Sequence, residues 1–149
     1  MPSHEQYLGN PNLKKANVAQ NFTKKQVAEF LKCAQDPVYF AHKYVRIINL
    51  DEGLVPFKMY DFQEKLVNNF HSNRFNICKM PRQSGKSTTV VSYLLHYAIF
   101  NDSVTVGILA NKAQTARDLL GRLQIAYENL PKWMQQGIIA WNKGSMELE

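Results

Sequence analysis

The chain has 149 residues, the size of one ordinary domain, and its 45% hydrophobic and 11% aromatic residues are enough to build a buried core. The longest apolar stretch, residues 90–100, is too short to cross a bilayer as a helix, and the start of the chain lacks the basic-then-apolar order of a secretory signal. These features predict a cytosolic protein with reduced thiols, and the formal charge of +6 suits work beside a polyanion without deciding that the protein binds nucleic acid.

Two cysteines, Cys33 and Cys78, stand far apart in the sequence, and neither belongs to a CxxC pair. This spacing argues against a metal site or a disulfide scaffold. Core packing is the expected role of both.

The first part of the chain is predicted to be an arm followed by two helices. Residues 1–22 are polar, rich in turn-forming residues and without a sustained apolar period, which predicts an irregular or partner-dependent arm. A capping box that starts at Thr23 predicts a helix over residues 24–35. Asp36, followed by a proline at the first helical position, predicts a short helix that ends at Tyr44.

The next segment changes from helix to strand and back. Residues 45–57 are rich in β-formers around an acidic turn with glycine, which predicts a hairpin or a strand and loop. Residues 60–70 return to helical spacing of apolar side chains.

A strand, a loop and a helix then follow one another directly. The pattern predicts a buried strand over residues 75–79, a loop over residues 80–85 and an apolar helix over residues 86–100. This order places the loop at the end of a strand and at the start of a helix.

The strand and helix pattern is repeated before the end of the chain. Residues 105–110 are predicted to form a second core strand and residues 113–130 a second long helix, which a proline ends. Because strands that alternate with helices of this length pair in parallel, we expect an α/β fold with a parallel sheet covered by helices. The tail, residues 138–148, is predicted to form one more hairpin.

The loop between the first strand and its helix has the form of a phosphate-binding P-loop, x-x-x-x-G-K-[ST]. Gly85 lets the backbone approach an anion without an intervening Cβ atom, and Lys86 can reach the β- and γ-phosphates of a nucleotide. Ser87 can coordinate Mg²⁺, and the helix N-terminus adds a favourable dipole. The first glycine of the standard motif is replaced by Met80. We therefore expect the chain to bind a nucleoside triphosphate with Mg²⁺, although the loop could merely cap the helix.

Two further polar residues are candidates for the same site. Arg82 could reach the γ-phosphate as an arginine finger supplied in cis, or it could be a surface charge paired with a neighbour. The amide of Gln63 could pair with the N6 and N7 edge of adenine and so select ATP, or it could be a solvated helix residue.

Four stretches of the sequence together resemble the large terminase subunit of tailed phages, close to the T4-type DNA-packaging motor. The resemblance extends from about Leu8 to the last residue, and it is more specific than the P-loop alone. The stretches are Tyr60-Asp-Phe-Gln63, Pro81-Arg-Gln-Ser-Gly-Lys-Ser-Thr88, Val106-Gly-Ile-Leu-Ala-Asn-Lys112 and Gly137-Ile-Ile-Ala-Trp-Asn-Lys-Gly-Ser145.

The resemblance implies a RecA-like P-loop ATPase core that drives double-stranded DNA into a prohead, with a lid subdomain beside it and a separate nuclease domain that cuts concatemers. It divides the chain into the arm (1–22), a helical and hairpin lid-like segment (23–58) and the first part of the ATPase domain (59–149). The implied partners are double-stranded DNA, the portal protein and the small terminase subunit, with a ring formed only on the portal. The implied location is the cytoplasm of the infected bacterial host.

The resemblance also assigns roles to residues. Arg82 corresponds to the loop arginine proposed as the cis finger, and with Lys86 it is a catalytic residue. Ser87 corresponds to the magnesium residue and Gln63 to the glutamine that reads adenine, so the resemblance favours this role of Gln63 over a solvated helix residue. Asn111 and Lys112 correspond to a region where related helicases contact nucleic acid, and a helix cap is the alternative. The nucleotide-binding residues are Phe62, Gln63, Pro81, Arg82, Gln83, Ser84, Gly85, Lys86, Ser87 and Thr88.

Hydrolysis of this type needs an apolar strand that ends in Asp and then Glu, the first to hold Mg²⁺ and the second to polarise the attacking water. The sequence has no such run after Lys86. We therefore expect the front part of an ATPase, truncated before the Asp-Glu strand, that binds ATP weakly and turns it over little or not at all. The alternatives are a helicase-like ATPase fragment and a non-catalytic nucleotide- or DNA-binding module.

Overall fold

The computed structural model describes residues 5–49 and 51–149, so the first four residues of the predicted arm and residue 50 of the predicted hairpin lie outside the described residues. None of the described helices is long and apolar enough to span a membrane. The helices are α1 (Lys24–Gln35), α2 (Pro37–Tyr44), α3 (Asp61–Ser72), α4 (Lys86–Phe100) and α5 (Ala113–Glu128). The strands are β1 (Arg46–Asn49), β2 (Gly53–Pro56), β3 (Ile138–Trp141) and β4 (Met146–Leu148).

The first two helices begin where their capping residues predict. The Thr23 Oγ1 atom accepts the N–H of Gln26 at 3.2 Å, and the Gln26 side chain accepts the N–H of Thr23 at 2.9 Å, which completes the capping box of α1. The Asp36 carboxylate accepts the N–H of Tyr39 at 2.8 Å at the start of α2. Both predicted helices are confirmed. Their starts could be predicted from the sequence because each depends only on local hydrogen bonds.

Helix α4 lies at the centre of the core. Its residues Leu95 and Ile99 are buried, and it contacts α2, α3 and α5. Phe40 of α2 meets Phe100 of α4 edge to face, with ring centroids 5.4 Å apart. Because three helices hold α4, the loop that leads into it is attached to a well-anchored element.

The predicted parallel sheet is not present among the described residues. The strands form two separate antiparallel pairs, β1 with β2 and β3 with β4, and the segments 75–79 and 105–110 belong to no strand. The side chains of Ile77 and Leu109 are 101% and 92% exposed. The prediction of two buried core strands is therefore wrong for this structure, whereas a mixed α/β chain is observed.

The physical reason is that an apolar sequence pattern indicates a preference for a buried strand but does not show that another strand lies beside it. A strand is buried only when other strands satisfy its N–H and C=O groups and a second layer covers its side chains. Residues 75–79 have no such neighbour among the described residues. Cys78 is exposed with this segment, so its expected core role is wrong, while Cys33 is buried as expected.

The N-terminal arm is attached to the tail hairpin. Leu13 is 2% exposed, and Lys14 accepts the N–H of Ile138 through its carbonyl at 2.9 Å. The N–H of Ala16 donates to the Ile138 carbonyl at 3.2 Å, next to Gly137. The arm therefore has little regular structure but docks against β3 within the chain.

Candidate functional site

The residues from Met80 to Ser87, here called the Met80–Ser87 loop, carry two left-handed backbone positions. Gly85, which is the N-cap of α4, has φ +73°, a conformation that glycine adopts without a steric penalty. Gln83 has φ +61°, which costs a non-glycine residue about 1 kcal/mol. Within the described residues, the backbone N–H groups of Ser84 to Ser87 have no hydrogen-bond acceptor. Free N–H groups in a tight turn before a helix form a favourable site for an anion.

The Met80–Ser87 loop is closed by side chains that bind its own backbone. Lys86 donates from Nζ to the carbonyl of Pro81 at 3.2 Å, and Ser84 donates from Oγ to the same carbonyl at 3.0 Å. The ammonium of Lys86 is therefore bonded to the backbone of its own loop.

Gln63 lies beneath the loop. Its side chain is 3% exposed, which contradicts the alternative of a solvated helix residue. The amide nitrogen donates to the carbonyl of Ser84 at 3.3 Å, and the amide oxygen accepts the N–H of Tyr60 at 3.0 Å. The start of α3 and the Met80–Ser87 loop are thus joined by one side chain.

A cavity of about 1050 Å³ lies between the loop and the β1–β2 hairpin. One part of its wall is the polar loop, and another part is formed by the apolar side chains of Ile47, Val55 and Phe57. Concave sites with an apolar wall and a few placed polar groups are typical of small-molecule binding. The shape suits a ligand that has an anionic end and a planar apolar end.

Two exposed aromatic rings stand at the edge of this cavity. The rings of Tyr60 and Phe62 are stacked, with centroids 5.8 Å apart and planes 9° from parallel. Tyr60 is 71% exposed and Phe62 is 45% exposed, so both have faces available to a ligand. Sequence reasoning selected Phe62 but missed Tyr60 and the hairpin wall; the aromatic residues two positions apart at the start of α3 were the available signal.

The structure brings most of the predicted nucleotide-binding residues to one place. Arg82 is exposed and makes no ion pair with any described residue, which disagrees with the alternative of a paired surface charge. Lys86 and Ser87, the last two residues of the loop, form the start of α4 and are not among the residues that line the cavity. The predicted residues that line the cavity are Phe62, Gln63, Pro81, Arg82, Gln83, Ser84, Gly85 and Thr88.

The two predicted nucleic-acid residues are not part of this cavity. Asn111 and Lys112 are exposed and precede α5. Lys112 is the N-cap residue of α5, but its side chain makes no capping hydrogen bond. The helix-cap alternative is therefore not supported by a side-chain contact, and the nucleic-acid role stays a prediction.

The site offers few ligands for a cation. The described residues contain no group of three or more His, Cys, Asp or Glu side chains that could hold a metal ion. Ser87 makes no side-chain hydrogen bond within the described residues, so its hydroxyl is free to coordinate. Because Mg²⁺ keeps several waters and takes oxygens from substrate phosphates, one protein hydroxyl would be enough if this loop held a nucleotide with its Mg²⁺.

Comparison with known families agrees with the resemblance seen in the sequence. Residues 77–149 match the family described as terminase large subunit, T4likevirus-type, N-terminal. The match includes the whole Met80–Ser87 loop, α4, α5 and the β3–β4 hairpin.

Proposed function

We propose that this chain is the nucleotide-binding part of a viral DNA-packaging motor, since residues 77–149 match the family of T4-type large terminase subunits, N-terminal part. In its full-length form this motor hydrolyses ATP to move double-stranded DNA into a prohead and cuts concatemers. The observation that carries the proposal is the Met80–Ser87 loop, whose free N–H groups lie next to a cavity of about 1050 Å³ and whose Lys86 ammonium donates to the Pro81 carbonyl of the same loop.

The triphosphate of ATP binds to the N–H groups at the start of α4. Lys86 exchanges the Pro81 carbonyl for the β- and γ-phosphates, and Ser87 coordinates the Mg²⁺ that accompanies them. Arg82 approaches the γ-phosphate; its exposure and its lack of an ion pair among the described residues support this role. The base lies against the apolar wall and the exposed face of Phe62.

Hydrolysis needs groups that this site does not supply. Glu52 is the only acidic residue that lines the cavity among the described residues, and it lies on the turn of the β1–β2 hairpin. A water molecule at the γ-phosphate therefore lacks a carboxylate that follows a core strand. We expect this chain alone to bind ATP and to release almost no phosphate.

DNA and assembly partners extend the proposal beyond the nucleotide. Asn111 and Lys112 are exposed before α5 and can contact a DNA backbone, in keeping with the net charge of +6. The portal protein and the small terminase subunit are the proposed protein partners, and the cytoplasm of the infected bacterium is the proposed location.

A titration with a fluorescent ATP analogue and Mg²⁺, with phosphate release followed in the same samples, tests the proposal. Lys86→Ala should weaken binding at least tenfold, because the variant loses a charge-assisted contact to the phosphates. Lys112→Ala is the matched control, since it removes an exposed lysine at the start of another helix, and it should leave binding unchanged. Binding that is equal in the wild type and Lys86→Ala would refute a phosphate site in this loop.

A further inference from the structure

Gln63 uses both ends of its amide inside the protein. The amide oxygen accepts the N–H of Tyr60 at the N-terminus of α3, and the amide nitrogen donates to the carbonyl of Ser84 in the loop. Gln63 lines the cavity but is only 3% exposed, and each end of its amide already has a partner within the protein. A glutamine that reads adenine must instead direct its oxygen and nitrogen to the base edge.

The loop is shaped to receive this side chain. A Cβ atom added to Gly85 would lie 2.5 Å from the amide nitrogen of Gln63, so any other residue at this position would displace the amide. Gly85 is also the N-cap of α4, and Ser84 to Ser87 carry the free N–H groups. Gln63 therefore supports the backbone that would face the phosphates.

We propose that Gln63 is a positioning residue that holds the Met80–Ser87 loop in its phosphate-binding conformation, through the Ser84 carbonyl and the face of Gly85. This inference rests on the proposed function of the loop as a nucleotide site. It predicts that Gln63 contributes to the binding of any ligand with a triphosphate, whatever base the ligand carries. A residue that only reads adenine contributes to ATP alone.

Competition against the fluorescent ATP analogue separates the two roles. ATP, GTP and inorganic tripolyphosphate, each with Mg²⁺, are the competitors. Gln63→Ala should weaken all three by the same factor, about fivefold to tenfold for the loss of a hydrogen bond that orders the loop. Phe62→Ala is the control for base contacts, and it should weaken ATP and GTP while leaving tripolyphosphate unchanged.

The outcomes distinguish this inference from the proposed function. If Lys86→Ala binds all competitors as well as the wild type does, the nucleotide site itself is wrong. If Lys86→Ala loses binding but Gln63→Ala weakens ATP only, the site stands and Gln63 is an adenine reader. Should Gln63→Ala unfold, Gln63→Met keeps the length of the side chain without the amide and gives the same comparison.

A double-mutant cycle provides a readout that does not depend on nucleotide. Gly85→Ala adds the same backbone strain to any background, but the overlap with the Gln63 amide exists only in the wild type. Gly85→Ala should therefore lower the urea midpoint less in Gln63→Ala than in the wild type. Equal shifts in the two backgrounds would overturn the contact on which the proposal depends.

Discussion

Gly137 is the position where a single methyl group should detach the N-terminal arm. A Cβ atom there would overlap the Cα atom of Ala16 and lie 2.9 Å from its backbone nitrogen. It would also lie 2.5 Å from a carboxylate oxygen of Glu149. The Ala16 backbone cannot move away without breaking its hydrogen bond to the Ile138 carbonyl of β3, so Gly137→Ala should displace the arm.

The magnitude follows from the contacts that the displacement removes. The arm exchanges two backbone hydrogen bonds with Ile138, and the N–H of Asn17 donates to the Glu149 carboxylate at 3.1 Å. At about 1 kcal/mol each, the three contacts amount to roughly 3 kcal/mol. Replacing glycine by alanine returns about 0.5–1 kcal/mol by restricting the unfolded chain. Gly137→Ala should therefore lower the free energy of unfolding by about 2 kcal/mol, and by about 2 kcal/mol more if Leu13 leaves the core.

Urea unfolding followed by tryptophan fluorescence measures this change, because Trp133 and Trp141 lie on either side of Gly137 in the sequence. Gly121→Ala is the matched control: Gly121 is inside α5, and a Cβ atom added there meets nothing within 4 Å. That substitution should raise stability by about 0.5–1 kcal/mol. If Gly137→Ala is as stable as Gly121→Ala, the docked arm described here is wrong.

Three further predictions concern titration and reactivity. Burial lowers the pKa of His96 below its usual 6.5, so the folded protein should lose stability as the pH falls below about 6.5. The urea midpoint of a His96→Leu variant should depend less on pH between pH 5 and 7.5. Hydrogen bonds from Lys43, Tyr44 and Tyr39 lower the pKa of Glu29 from 4.5 to about 2. The contribution of ionised Glu29 to the free energy of unfolding should therefore be fully present above pH 4.5 and be lost as the pH falls toward 2. Glu29→Gln should remove this part of the acid dependence of the urea midpoint. One thiol per chain should react quickly with a disulfide reagent in the native protein, and two should react after denaturation. The reason is that Cys78 is exposed, whereas Cys33 is buried and its burial raises the pKa of the thiol to about 12. Two fast thiols in the native state would contradict the packing of α1.

The elements that could be predicted from the sequence are those that local chemistry determines. Thr23 and Asp36 fix the starts of α1 and α2 through hydrogen bonds to residues three positions away. The turn between β3 and β4 is closed by the Asn142 side chain, which accepts the N–H groups of Gly144 and Ser145 at 2.8 Å. None of these depends on distant parts of the chain.

The features that could not be predicted depend on long-range neighbours. Residues 75–79 have the composition of a core strand, but the composition does not state whether another strand lies beside them. The side chain of Gln63 reaches a carbonyl 21 positions later, and no sequence period indicates that contact. The resemblance identified the loop and Gln63 as parts of one site, whereas the role of the β1–β2 hairpin as a cavity wall required the structure.

The carbonyl of Pro81 has a further consequence for what the loop can select. The Lys86 ammonium uses one of its three N–H donors on this carbonyl, which the Ser84 hydroxyl shares, so an anion that draws the ammonium away from Pro81 breaks an internal hydrogen bond. The affinity then depends on the difference between the hydrogen bonds made to the ligand and the internal bonds lost at the Pro81 carbonyl. A ligand with one weak acceptor therefore gains little. A ligand with several oxygens can replace the carbonyl and still occupy the free N–H groups of the loop, so competition with chloride or acetate should remain weak even at high salt.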